Sequence, residues 1–235
     1  MDHEDDDEGI TWNQRARNRE PDRMSPRQAW RAIQAALPEN AIISSDIGNN
    51  CAIGNAYPTF EEGRHYLAPG LFGPCGYGLP SILGAKIGRP DLPCVGFAGD
   101  GAFGISKNEM TACGRNDWQP ITKVIFRNYQ WGAVKRNTTL WFDDNFVGTE
   151  LNVGVSYAEI AQACGLKGVK VDSMESLTEA LRAAIKAQME DGVTTFIEVV
   201  LNQELGEPFR RDAMKTPVAV AGISKDDMRP QQPAG

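Results

Sequence analysis

The chain has 235 residues, 41% of them hydrophobic, and a net charge of −7 at pH 7. That suffices for one large domain with a substantial core or two small ones, and the acidic balance argues against a general role on nucleic acid or anionic membranes. No apolar run approaches the roughly 18 residues of a spanning helix, and the start MDHEDDDEGI is acidic where a signal peptide is basic, so a cytoplasmic protein is expected.

In chain order, residues 1–23 are charged and carry almost no periodic apolar pattern, which predicts a flexible arm or linker. Residues 24–205 hold the folded domain. Ser25, Pro26 and Gln28 give a capping box with Pro at the first helical position; Trp30, Ile33 and Leu37 then share one face, and Pro38 ends the helix. AIISS predicts a short buried strand stopping at Asp46-Ile47-Gly48. GYGLPSILGAKIG predicts a helix in which Pro80 could introduce a kink. PCVGFAGDG reads as strand then turn, ISKNEMTACGR as a helix closed by Gly114, and ITKVIFRN as a strand. Ser156 with Glu159 and Ser176 with Glu179 predict two further capping boxes, GVKVD lies between them as a strand, and Gly192 stops the last helix before the strand TTFIEVVL. From residue 206 to 235 the chain is polar and contains Pro, as a tail would. Strands that alternate with helices and are themselves continuous apolar runs predict an α/β fold: a doubly wound, mostly parallel sheet with helices on both faces.

Five cysteines occur, Cys51, Cys75, Cys94, Cys113 and Cys164, with no C-x-x-C pair, and only two histidines, His3 and His65. A zinc site is therefore disfavoured, a Ser-His-Asp hydrolase would rest on His65 alone, and most of the cysteines are expected as small buried apolar groups.

The chemistry concentrates in GDGAFGISKNEMTACGRNDWQPITKVIFRNYQ. Asp100 and Asn128, 28 positions apart, each follow an apolar strand directly. In such sheets ligands sit beyond the carboxyl ends of the strands. If these two strands are neighbours, a carboxylate and a neutral amide oxygen meet in one crevice, as hard-oxygen ligands suited to Mg²⁺ and phosphate oxygens. Gly99 and Gly101 let the backbone approach closely, and residues 101–103, with Gly101 and Ala102 first, open toward a helix whose N–H groups could meet a phosphate. The competing reading is a plain Asp-Gly turn and a strand-end Asn.

With its flanking strands the stretch resembles the thiamine-diphosphate motif, in which the Asp, the Asn and the main-chain carbonyl two residues after the Asn hold Mg²⁺; this implies Asp100, Asn128 and Gln130. One departure is that Arg127 stands where the family often has a first Asn. GLFGPCGYGLPSILGAKIG resembles the segment of acetolactate-synthase-like enzymes whose Gly carbonyl receives the aminopyrimidine and whose bulky residue bends the cofactor, which aligns Gly73 and Cys75 with those roles; Cys is smaller than the usual residue. SSDIGNNCAIGNAY resembles the segment that touches the diphosphate, implying Asn49 and Asn50, whose alternative is helix capping. WNQRARNREPDRMSPRQAWRAIQAALP, VKRNTTLWFDDNFVGTEL and LGEPFRRDAMKTPVAVAG narrow the resemblance to the C-terminal domain of the sulfoacetaldehyde acetyltransferases.

That resemblance implies thiamine diphosphate and Mg²⁺ as cofactors, sulfoacetaldehyde and phosphate as substrates, acetyl phosphate and sulfite as products, and a homo-oligomer, dimer or tetramer. It also implies an activating Glu in a separate pyrimidine-binding domain or subunit, so no catalytic residue is expected in this chain, Glu109 included. The chain is thus expected to be a fragment or one subunit of a split enzyme, nearly inactive alone, with the acidic start as an interdomain linker. Alternatives are an acetolactate synthase, a sulfopyruvate decarboxylase subunit, or a non-catalytic assembly module. Lys135 and Arg136 are candidate phosphate or sulfonate contacts or a solvated helix face; Arg210 and Arg211 are expected at a surface or interface, His65 in a loop hydrogen bond with an active-site role as the alternative, and Trp131, Trp141 and Phe142 in packing or subunit contacts, in a segment that could also border the substrate pocket.

Overall fold

The computed structural model describes residues 22–55, 57–60, 65–115, 118–141 and 145–205. The expected arm up to residue 21 and the expected tail from residue 206, with Arg210 and Arg211, lie outside the described residues, as does Phe142.

The six strands among the described residues form one all-parallel sheet, in the order β2-β1-β3-β4-β6-β5. The strands are β1 (Ile42–Ser45), β2 (Tyr66–Leu67), β3 (Cys94–Gly99), β4 (Thr122–Arg127), β5 (Lys167–Val171) and β6 (Thr195–Val200). The helices are α1 (Pro26–Ala36), α2 (Asn49–Gly54), α3 (Gly78–Gly88), α4 (Asp100–Ser106), α5 (Met110–Cys113), α6 (Gly132–Trp141), α7 (Tyr157–Ala163) and α8 (Met174–Glu190). The chain builds outward from β1 to β2, then returns to place β3 on β1's other side. That reversal is the position where open parallel sheets bind ligands.

Alternation along the central strands feeds two cores. Val124 and Phe126 pack with Phe97, Ile197 and Val199 under α1 and α8, through Trp30, Ile33, Leu177 and Leu181. On the other face Ile125, Ala98 and Phe196 pack under Leu79 and Ile82 of α3, Phe103 of α4 and Tyr157 of α7. Continuous apolar runs are the expected signature of strands buried on both faces. As expected from their apolar settings, Cys51, Cys94 and Cys113 are buried; Cys75 is exposed.

Ser25 and Gln28 form the expected capping box. Three local expectations are corrected. Pro80 causes no kink, because it lies in the first turn of α3, where its N–H would have no helical partner anyway. The last capping box is Ser173 with Ser176, three residues before the expected start, so Ser176 is the third residue of the helix and not its cap. Ser156 caps α7 by accepting the Glu159 N–H, but the box is not completed by a return bond from its own N–H to the Glu159 side chain; its hydroxyl instead donates to Glu198 at 2.7 Å.

Lys123 is fully buried in β4 and its Nζ has no hydrogen-bond partner among the described residues. Burial pulls its pKa down to about 8, with Asp46 opposing the fall. The folded pKa lies below the unfolded one, so the cost of burying the ammonium is fully present below about pH 8 and is relieved as pH rises from there toward the ordinary lysine value. We expect Lys123→Met to raise unfolding free energy at pH 7 by on the order of 2 kcal/mol. The gain should shrink between pH 8 and 10 in urea titrations; an unchanged or lower stability at pH 7 contradicts it.

Candidate functional site

The carboxyl ends of β1, β3 and β4 open into one cavity of about 190 Å³. Adjacent pairing of β3 with β4, Gly99 beside Phe126, puts the residues that follow each strand side by side. Asp100 and Asn128 both line the cavity, with Gly99, Gly101, Ala102 and Gln130 around them. Asn49 and Asn50 enter from the start of α2, and Gly73 and Cys75 from the loop before α3. All the residues singled out from sequence as cofactor contacts therefore meet in one place. The first turns of α2, α4 and α6 face the cavity, so their unpaired N–H groups and positive dipole ends converge there.

Asp100 is 1% exposed and tightly held. Its Oδ2 accepts from the Tyr129 N–H at 2.7 Å and from Arg127 Nη1 at 3.0 Å. Among the described residues its Oδ1 accepts only the Gly101 N–H, at 2.9 Å, and so keeps a lone pair for a cation. Burial raises the carboxyl to about pH 6, opposed chiefly by the Arg127 charge and then by the Tyr129 N–H.

The loop after β4 takes its shape from Tyr129, the sole non-glycine residue with positive φ among the described residues, at 60°. This turn aims the Tyr129 N–H back at Asp100. Trp131 N–H donates to the Thr149 carbonyl and Leu151 N–H to the Tyr129 carbonyl. Gln130 opposite Glu150 is thus a non-hydrogen-bonded pair, and the Gln130 main chain faces away from that ladder, its carbonyl left available. The Trp131 ring lies over Gly101 so closely that a Cβ there would sit 2.7 Å from it. Asn49 Oδ1 and Asn50 Oδ1 are buried acceptors without a hydrogen-bond partner among the described residues.

Asp46 was missed as a site residue. It is buried, and its carboxylate accepts the N–H groups of Ile47, Gly76 and Gly78, so the end of β1 grips the glycine-rich loop that carries Gly73 and Cys75. Gly73 and Gly76 have φ of 52° and 89°, values that cost glycine nothing. Desolvation, and then Asp46, raise the Cys75 thiol, so it is no ready thiolate. Lys135 is corrected from a possible substrate contact: it is buried, ion-paired with Glu150 and donates to Gln130 Oε1 at 3.1 Å. His65 is buried beside β2, its carbonyl accepting the Ile43 N–H, and does not line the cavity. Glu109 is exposed on a 3-10 turn between α4 and α5. Trp131, expected in packing, in a subunit contact or at the pocket border, is in the cavity wall. No group of three or more His, Cys, Asp and Glu suited to a metal occurs among the described residues. The donor set at the cavity is one carboxylate with neutral oxygens, a hard and weakly charged set.

The chain is similar to several known proteins. A Rhizobium meliloti protein named "Probable sulfoacetaldehyde acetyltransferase" is 75% identical over 232 residues, covering 99% of this chain and 39% of its own length. Sulfoacetaldehyde acetyltransferase of Roseovarius nubinhibens is 74% identical, with 99% and 38% covered. The chain thus spans about two fifths of the length of these relatives. The crystal structure of benzoylformate decarboxylase from Polynucleobacter necessarius shares the fold, with a TM-score of 0.70 over 78% of this chain and 34% of that one at 21% identity. The family described as "Thiamine pyrophosphate enzyme, C-terminal TPP binding domain" matches residues 46–199, a span that runs from Asp46 through every residue of the cavity, and the chain belongs to that family.

Proposed function

We propose that this chain is the diphosphate-binding part of a sulfoacetaldehyde acetyltransferase, which converts sulfoacetaldehyde and phosphate to acetyl phosphate and sulfite. The observation that carries the proposal is the pairing of β3 with β4, which delivers Asp100 and Asn128 together into one cavity. Identity of 71–75% to three sulfoacetaldehyde acetyltransferase relatives supports the substrate assignment.

The residues present fit the cofactor and its cation. Asp100 Oδ1, the Asn128 amide oxygen and the Gln130 carbonyl would hold Mg²⁺, a cation that accepts few protein oxygens and keeps water and phosphate for the rest. The N–H groups opening α2, α4 and α6 suit the diphosphate, and the orphaned Asn49 and Asn50 oxygens suit the water shell of a cation. Gly73 and Cys75 would face the aminopyrimidine end. When bound, thiamine diphosphate supplies a carbanion and an electron sink for acyl transfer. This chain's part is to bind and orient it: Asp46 fixes the 73–78 loop, Trp131 closes over Gly101, and Tyr129 sets the position of Asp100.

Exposed apolar side chains flank one side of the cavity. Leu71 and Phe72 are 98% and 95% exposed beside Gly73, and Ile47, Ile105 and Val134 are exposed nearby. Apolar side chains so placed suit cover by another domain or subunit, and a pyrimidine-binding partner carrying the activating Glu is the expected occupant. The reading extends to a cytoplasmic homo-oligomer working in taurine and other sulfonate breakdown. No helix among the described residues is long and apolar enough to cross a membrane.

The test is turnover. With sulfoacetaldehyde, phosphate, thiamine diphosphate and Mg²⁺, the chain alone should form almost no acetyl phosphate, and adding a pyrimidine-binding domain should yield acetyl phosphate and sulfite together. Acetolactate, or sulfoacetaldehyde and carbon dioxide from sulfopyruvate, would point to the alternatives instead. Robust turnover by the chain alone contradicts the division of labour.

A further inference from the structure

Behind Asp100 lies a buried charge row that the proposed reaction does not use. Arg127, 1% exposed, stands between Asp100 and Glu198, which is fully buried. Its Nη1 is 3.0 Å from Asp100 Oδ2, and its Nε is 3.8 Å from Glu198 Oε1. Nη2 donates to the Asn152 and Val155 carbonyls, and the guanidinium stacks 4.2 Å from the Tyr129 ring centroid. Glu198 Oε2 is fully engaged by the Ser156 hydroxyl and the Ala158 N–H. Its Oε1 and Arg127 Nε are both buried without a hydrogen-bond partner among the described residues. A shift of roughly 1 Å would bring them into one.

The charge order, from the cavity inward, is minus, plus, minus. An arginine this close to Asp100 cancels its charge and repels a divalent cation approaching the same carboxylate. Glu198 returns the missing negative charge, and its free oxygen gives the guanidinium somewhere to go. We propose that Glu198 is a positioning residue for the cation site: acting through Arg127, it keeps Asp100 effectively anionic toward the cavity and receives the guanidinium when a cation arrives at Asp100. This rests on Asp100 being a cation ligand. The buried acid within the apolar run TFIEVV and the Arg preceding Asn128 are the two sequence features it explains.

The experiment is a Mg²⁺ titration of the full 235-residue chain at fixed thiamine diphosphate, followed by tryptophan fluorescence, since Trp131 is in the cavity wall. Glu198→Gln keeps the shape and removes the charge, and should weaken apparent Mg²⁺ affinity roughly tenfold or more. Glu198→Asp, which keeps the charge, and Glu198→Gln with Arg127→Met, which removes both, should each return to within about threefold of the unaltered chain. A purely structural role would leave the double variant at least as weak as the single one. Unchanged Mg²⁺ affinity in Glu198→Gln overturns the proposal, as does equal weakness in all three variants. If the unaltered chain shows no Mg²⁺ dependence at all, the cation reading of the cavity fails, and this proposal with it.

Discussion

Asp100→Asn should bind thiamine diphosphate in the presence of Mg²⁺ at least about 100-fold more weakly than the unaltered chain, a loss at or beyond the top of what displacing a metal ligand's supporting partner costs. The substitution keeps the size of the side chain and an oxygen for the Gly101 N–H, but turns an amide NH2 toward the Tyr129 N–H and Arg127 Nη1, the two donors that Asp100 Oδ2 accepts. What disappears is the one carboxylate among the cavity-lining residues. An amide oxygen is a poor exchange for a carboxylate at a hard divalent cation. The Arg127 guanidinium is then left facing the cavity with Glu198 as its remaining anionic neighbour. Binding without Mg²⁺ should be nearly the same in both proteins, which separates loss of the cation from loss of the fold. The same carboxylate gives a pH dependence. Burial holds it near pH 6, so protons displace Mg²⁺ below that value, and apparent Mg²⁺ affinity should fall by about tenfold per pH unit there. Isothermal titration at pH 5, 6 and 7.5 measures it; affinity independent of pH over that range contradicts a titrating Asp100 at the cation.

Trp30→Ala should cost about 3–5 kcal/mol of unfolding free energy, the range for emptying a large aromatic site in a core. Trp30 is 1% exposed and packs on Phe97 and Phe126, with ring centroids at 4.7 and 5.3 Å. Gly54 is pressed against it so tightly that a Cβ there would sit 2.2 Å from the ring. Its indole N–H donates to the Asn50 carbonyl at 2.7 Å. Trp30 therefore joins the core to the start of α2, where Asn49 and Asn50 line the cavity. Trp30→Phe restores part of the packing and none of that hydrogen bond. It should recover most of the stability while cofactor affinity stays reduced. Urea unfolding reports the first effect and cofactor titration the second; equal recovery of both would show that the bond to Asn50 does not matter.

Much of this was legible in the chain itself. Apolar runs of Val, Ile and Phe announced the buried parallel strands, and Ser25 and Gln28 fixed the start of α1 through a local hydrogen-bond pair. Asp100 and Asn128 were readable because each follows its strand directly, and the strands turned out to be neighbours. What escaped notice depends on contacts between distant segments. Asp46 looked like a strand-end turn; only the fold shows it gripping Gly76 and Gly78. Lys135 looked like an exposed cation because Glu150, its partner, is fifteen positions along the chain and returns beside it through the short ladder opposite Gln130. The misplaced start of α8 has a local cause: Ser173 and Ser176 are both competent caps, and the outcome is decided by the reciprocal bonds they make with each other.

Manganese can stand in for magnesium as an oxygen-bound cation and scatters anomalously, so a crystal of the chain with Mn²⁺ and thiamine diphosphate bears most directly on whether Asp100 and Asn128 share one cation. The expected map has a single anomalous peak about 2.0–2.3 Å from both Asp100 Oδ1 and the Asn128 amide oxygen, bridging to the diphosphate. Bound cofactor with no cation between those two side chains, or a cation placed elsewhere, would contradict it.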